Sequence, residues 1–220
     1  MFKTGTRIGV CVITIAAWSL LGISLHGGLG SHVDVRAHET SGRLMAQQAL
    51  ACLAPGGQIT LFTRDTTTFK NPATDLQLAT FLKTISQAHV VIHSFHALQV
   101  DPLRPIAVPS SEFCEVIRNT PEDSVIVSFL GPPLLTPTER SRLGDINPAI
   151  VAFCSGGLPE LEELSSLFKQ GLLKAAVVDC RGAKWPAHGA ANQRDYAERS
   201  FLTLTATNLA ELAALQGVAP

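Results

Sequence analysis

The chain has 220 residues, 46% hydrophobic and 16% charged, enough to fill one ordinary core and hardly two. Its 17 Lys and Arg nearly balance its 18 Asp and Glu, giving a formal net charge of −1. No global basic field is available to hold a phosphate backbone, so nucleic acid is not an expected partner. Mean hydropathy is +0.24, high for a soluble protein, and much of the excess lies in the first thirty residues.

From Ile8 to Leu25 the chain reads IGVCVITIAAWSLLGISL, without one charged residue. As a helix at about 1.5 Å per residue this run covers roughly 27 Å, close to the hydrocarbon thickness of a bilayer. Lys3 and Arg7 precede it and the next basic residue is Arg36, so the positive-inside bias keeps the N-terminus cytosolic and sends the rest across. The run exceeds the usual apolar region of a signal peptide, and Gly28 and Gly30 replace the small-residue pattern expected at a cleavage site. A retained anchor is therefore expected ahead of a cleaved signal. Cys11 stands near the start of the run, which argues against a lipoprotein cleavage site. The expected organisation is a membrane anchor or signal segment over residues 1–30 and one α/β domain over residues 31–220. That domain would lie on the periplasmic or extracellular side, and would be secreted if the leader is cut.

After a polar stretch from Gly27 to Asp34, apolar residues recur at Met45, Ala46, Ala49, Leu50 and Leu53 and stop at Pro55-Gly56-Gly57, which predicts a helix with a clear terminator. Strand-like runs follow at Gln58 to Thr63, Val90 to Val100, Ser124 to Leu130, Ala149 to Cys154, Ala175 to Cys180 and Phe201 to Thr205. Between them, Asn71-Pro72 starts a helix with Leu78, Phe81, Leu82 and Ile85 on one face. Ser110 to Asn119 forms a shorter one. Thr136-Pro137-Thr138-Glu139 is a capping box with proline at its first turn, and Pro159 opens a helix with Leu161, Leu164, Leu167 and Phe168 inward, closed by Gly171. SVIVSFL, AIVAF and AAVVD are apolar at nearly every position, which suits strands covered on both faces. The expected fold is one doubly wound, mostly parallel sheet of about six strands with helices on both faces. Arg181 to Arg199 lacks periodicity and reads as an irregular surface segment.

Ser41-Gly42-Arg43-Leu44-Met45-Ala46, Leu53 and Gly56-Gly57-Gln58-Ile59-Thr60-Leu61 resemble the helix and strand that open the C-terminal lobe of type I periplasmic sugar-binding proteins. Gln170 to Val178 is similar to a later strand of that lobe, where the family carries a ligand-contacting Asp or Asn; the position here is Asp179. The resemblance covers about 140 residues on short motifs shared by many Rossmann-like domains. It implies one lobe of a two-lobed binding protein, and a single lobe cannot by itself enclose a small solute.

Ligands of open parallel sheets bind beyond the carboxyl ends of the strands, near the switch in strand order. That rule selects Arg64, Asp65 and Thr66 after the first strand, where a guanidinium, a carboxylate and hydroxyls can hold a sugar or an anion. The same residues also suit a surface ion pair and turn caps. The rule further selects Ser155, Asp179 and Arg181 after the fourth and fifth strands. Cys52, Cys114, Cys154 and Cys180 leave three readings open: buried free thiols, a disulfide in an exported compartment, or a metal or nucleophilic site. If residues 90–100 are extended, His93 and His96 point to opposite faces and cannot share an ion without a bend. Trp185 pins a loop to the domain, stacks on a sugar ring or touches the membrane surface. No G-x-S-x-G, P-loop, G-x-G-x-x-G or H-E-x-x-H occurs, so neither cofactor nor metal is expected and no catalytic residue is assigned.

The expectation that follows is a membrane-tethered, non-cytosolic binding module whose partner is a small molecule, a sugar or anion, or a membrane protein. Alternatives are an exported enzyme using Ser155 or Cys154 with His188, and a structural subunit of a membrane assembly.

Overall fold

The computed structural model describes residues 34–67, 70–99, 108–156, 159–181 and 200–217. The apolar segment Ile8–Leu25, Trp185 and His188 lie outside them. Among the described residues no helix is long and apolar enough to cross a membrane.

The first helix, α1 (Val35–Cys52), begins where the Asp34 side chain accepts a hydrogen bond from the Ala37 amide, at 3.1 Å. It ends just ahead of the predicted Pro-Gly-Gly terminator, leading into β1 (Ile59–Arg64). Then come α2 (Pro72–Gln87), capped by Asn71, β2 (Ile92–Leu98), α3 (Ser110–Asn119) and β3 (Val125–Ser128). The capping box at Thr136 forms as the sequence predicts and starts α4 (Pro137–Leu143), with the Glu139 carboxylate accepting from the Thr136 amide at 2.9 Å. After β4 (Ala149–Cys154) the next helix, α5 (Leu161–Lys169), starts two residues later than expected, and Gly171 closes it at φ +72°. The described chain finishes with β5 (Leu173–Asp179), β6 (Phe201–Leu204) and α6 (Leu209–Gln216).

The six strands form one sheet in the order β2-β1-β3-β4-β5-β6. All pairings are parallel except β5 with β6, which are antiparallel. The third strand is shorter than predicted, because Phe129 and Leu130 leave the ladder in a turn that Gly131 completes at φ +99°.

Two separate cores cover the two faces. On one, Met45, Ala46 and Ala49 of α1 and Phe81 and Ile85 of α2 meet Leu61, Val127, Val151 and Val177. On the other, Phe113 and Ile117 of α3, Leu143 of α4, Leu164 and Phe168 of α5 and Leu212 of α6 meet Phe62, Ile126, Ile150 and Ala176. β3 is buried at every position and β4 at all but its first, which is why both read as unbroken apolar runs. At about 25 cal/mol per Å² of buried apolar surface, this double-sided burial dominates the stabilisation.

The two helices on the first face touch at Gly42, where a Cβ would run into the Gln77 backbone carbonyl, and the Gln77 amide donates to the buried Ser41 hydroxyl at 2.9 Å. Gly→Ala in an ordinary helix interior stabilises by up to about 1 kcal/mol. Here the sign reverses: Gly42→Ala is expected to lower unfolding stability by roughly 1–3 kcal/mol in urea denaturation, the cost of overpacking. A stabilised variant would show that the two helices do not approach this closely.

Candidate functional site

Parallel strands return by right-handed crossovers, so the face a helix occupies is fixed by the direction in which the chain moves across the sheet. From β1 the chain moves outward to β2 over α2, on one face. From β2 it turns back across β1 to β3 and on to β4 and β5, over α3, α4 and α5 on the other face. The reversal falls between β1 and β3, whose carboxyl ends are the switch point of this strand order, the place where open sheets of this kind bind ligands.

Arg64, Asp65 and Thr66 stand on the β1 side of that switch point. Arg64 is half-buried at the last position of β1, opposite Leu98 of β2. Asp65 accepts a hydrogen bond from the Thr67 amide at 2.8 Å, and hydrogen bonds from Thr67 and Gln99 hold its carboxyl below the usual range. The Thr66 hydroxyl donates to the Asp75 carboxylate of α2 at 2.7 Å. Asp65 and Thr66 thus shape the loop, the turn-and-cap use that the sequence also allowed. On the β3 side Ser128, Phe129 and Leu130 are buried and Gly131 is half-buried, with the Leu130 amide donating to the Ser128 hydroxyl at 3.3 Å. Sequence reasoning missed this neighbour, because which strand lies beside β1 is not written in local pattern. Its one local signal is the Gly131-Pro132-Pro133 stop after an apolar strand.

Ser155, Asp179 and Arg181 lie elsewhere on the same edge. Two and three strand spacings separate β4 and β5 from β1, so Asp179 is about 14 Å from the Arg64 position across the sheet. Ser155 is exposed just past β4. Arg181 folds back on Asp179, with Nε 2.9 Å from Oδ1 and Nη2 2.6 Å from Oδ2, and its guanidinium sits 5.7 Å from the centroid of the Phe201 ring. The Arg181 amide also donates to Asp179 Oδ1, at 3.1 Å.

A third contributor to this corner is His38, which the sequence did not suggest. α1 runs antiparallel to the strand it precedes, so its first turn reaches the carboxyl edge, and α1 packs across β3, β4 and β5. Burial and then the positive charge of Arg181 push the His38 pKa down, while Asp34 and Asp179 pull it up.

The four described cysteines, Cys52, Cys114, Cys154 and Cys180, are free. A bond between Cys154 and Cys180 is ruled out by register. Cys154 pairs with Val178, so Cys180 lies two residues further along the neighbouring strand, and the Cα atoms are about 8 Å apart, beyond disulfide reach. Burial, with a smaller contribution from Glu163, pushes the Cys154 thiol up to about 12, and burial pushes that of Cys180 up to about 11. Neither carries thiolate at neutral pH, which opposes the nucleophile reading of Cys154. His188, its suggested base, lies outside the described residues.

The histidine expectation needs one correction. β2 is extended but not regular: Ile92 pairs with Ile59 and Ser94 with Thr60, leaving His93 as the extra residue of a bulge. His93, Ser94 and His96 consequently line one groove instead of opposite faces. Even so, among the described residues no group of three or more His, Cys, Asp or Glu is placed to hold a metal ion.

These features define a class: an open, mainly parallel α/β sheet with a polar carboxyl edge and a switch in strand order. Its likeness is to periplasmic sugar-binding proteins of ABC transporters, as the sequence motifs suggested. A carbohydrate transporter solute-binding protein from Agrobacterium radiobacter, solved with D-arabinose, superposes with a TM-score of 0.52 at 10% identity over 81% of this chain and 63% of its own. A periplasmic ribose ABC transporter protein from Conexibacter woesei gives 0.52 at 10% identity, over 80% and 60%. A sugar ABC transport substrate-binding protein from Bordetella parapertussis gives 0.50 at 11% identity, over 83% and 62%. The chain therefore spans less than two thirds of the length of these proteins, and at such identities the likeness is one of fold. No protein-family model and no curated protein matches the sequence.

The His38 environment yields a pH prediction. Its folded pKa lies below the ordinary 6.5, so its contribution to stability is complete above that value and is lost as pH falls through the folded pKa. Arg181→Gln removes a charge that lowers it, so the His38 pKa read by NMR titration is expected to rise in that variant. An unchanged value would show that Arg181 does not face His38.

Proposed function

We propose that this chain is a binding module for a small polar solute, a sugar or an anion, working outside the cytosol at a membrane. The observation that carries the reading is the reversal of winding after β2, whose switch point falls at the carboxyl ends of β1 and β3, with Arg64 the last residue of β1. The fold likeness to proteins named for sugar, ribose and arabinose supports choosing a polyhydroxylated solute within that class. Arg64 is the principal polar contact, donating paired hydrogen bonds to vicinal hydroxyls or to an oxyanion. Asp65 and Thr66 hold the loop that presents it. Ser155, Asp179 and Arg181 form a second rim of the same edge, where the Asp179–Arg181 pair offers its outer face.

One sheet edge buries less of a solute than a closed cleft does, so this reading includes a second surface, a membrane-protein partner brought close by an anchor over residues 8–25. Intact Met1 on the exported chain is the observation that supports the anchor, and a chain cut near Gly30 removes it.

Thermal unfolding of the wild type in the presence of D-arabinose, D-ribose, other aldoses, phosphate and sulfate tests the site. At one hundred times its dissociation constant a true ligand stabilises by about 2.7 kcal/mol. The expected result is such an increment for at least one compound, lost in Arg64→Ala. No increment with any member of the panel, or one that survives the substitution, contradicts the proposal.

A further inference from the structure

The groove on the flank of the sheet, between β2 and α3, lies away from the carboxyl-edge switch point and has a volume of about 310 Å³. That is the lower end of the range for small-ligand sites. It exists because α3 packs inward, stacking Phe113 on Phe62 at 4.7 Å between ring centroids, which leaves the outer strand uncovered on this face. The bulge at His93 brings a second imidazole to the groove beside His96. Phe62, Leu98 and Val116 give it an apolar part.

Among the described residues the charged side chains that line it are Glu112 and Glu115, neither of which makes an ion pair or hydrogen bond there, and no Lys or Arg lines it. The Ser94 hydroxyl donates to Thr60 Oγ1 at 3.2 Å and lies 3.3 Å from His96 Nε2. The two unpaired carboxylates beside an apolar floor favour a ligand that is cationic and donates hydrogen bonds.

We propose that this groove is a second binding site, taking a small organic ammonium ion with a short apolar body. The ammonium group offers only donors, and its hydrogen bonds to Glu112 and Glu115 are charge-assisted; the body lies along Leu98 and Val116. An anion of the same shape meets two carboxylates and is repelled. A metal ion is not the occupant, since three ligating side chains do not converge here.

The probe is pentylamine, compared with 1-pentanol and pentanoate, which share its shape and differ in charge. Each is titrated into the full chain at low ionic strength, where surface charges are least screened. The readout is backbone amide resonances of residues 93–98 and 112–119. Pentylamine is expected to shift these resonances saturably and pentanoate to leave them unmoved. The double variant Glu112→Gln, Glu115→Gln is expected to bind pentylamine roughly tenfold more weakly, the loss of charge-assisted contacts. Three results overturn the proposal: no saturable shift with pentylamine at millimolar concentration, pentanol binding as tightly as pentylamine, or undiminished binding in the double variant.

Discussion

A parallel strand cannot be followed by its neighbour through a tight turn; the chain must cross the sheet, and it does so right-handedly. In this protein that constraint acts in two directions. The first crossover runs one way along the sheet and lays α2 beside α1, and every later parallel crossover runs the other way and lays α3, α4 and α5 on the opposite face. Both faces of the central strands are sealed as a result, and the direction of winding changes between β1 and β3. The same geometry that gives the core its two-sided burial therefore sets the switch point.

The polar groups of the carboxyl edge are subordinate to that geometry. Asp65 and Thr66 spend their hydrogen bonds on the loop after β1, and Asp179 is held by Arg181, which rests on Phe201. These contacts stiffen the carboxyl edge on either side of the switch in strand order. The antiparallel β6 ends the sheet beyond β5 and brings Phe201 opposite Asp179, so the corner containing His38 depends on the one reversal of strand direction.

Much of the fold was legible because its signals are local. Asn71-Pro72 and the box at Thr136 are hydrogen-bonding devices complete within four residues, and both formed as read. The apolar runs of β3, β4 and β5 needed only the two-sided burial of parallel sheets. What escaped was non-local or weakly patterned. α6 carries Leu and Ala nearly all round, so no stripe marks it. The bulge at His93 arises from pairing with β1 and defeated a reading based on strict alternation. The candidate site suffered most: strand order decides that β3 lies beside β1 while Asp179 is about 14 Å from the Arg64 position, and no residue pattern encodes strand order. Motifs at Gly42 and Gly57 did carry the family resemblance, and both glycines sit where a Cβ would strike a backbone carbonyl, of Gln77 and Asp123 respectively.

The central claim is that the winding reversal places the solute site between β1 and β3. Backbone amide shifts during titration with D-arabinose and D-ribose test it directly. The account predicts saturable perturbations at residues 63–67 and 128–131, with smaller ones at 179–181. Perturbations centred on the far rim or on a helix face, with residues 63–67 and 128–131 unmoved, would contradict it.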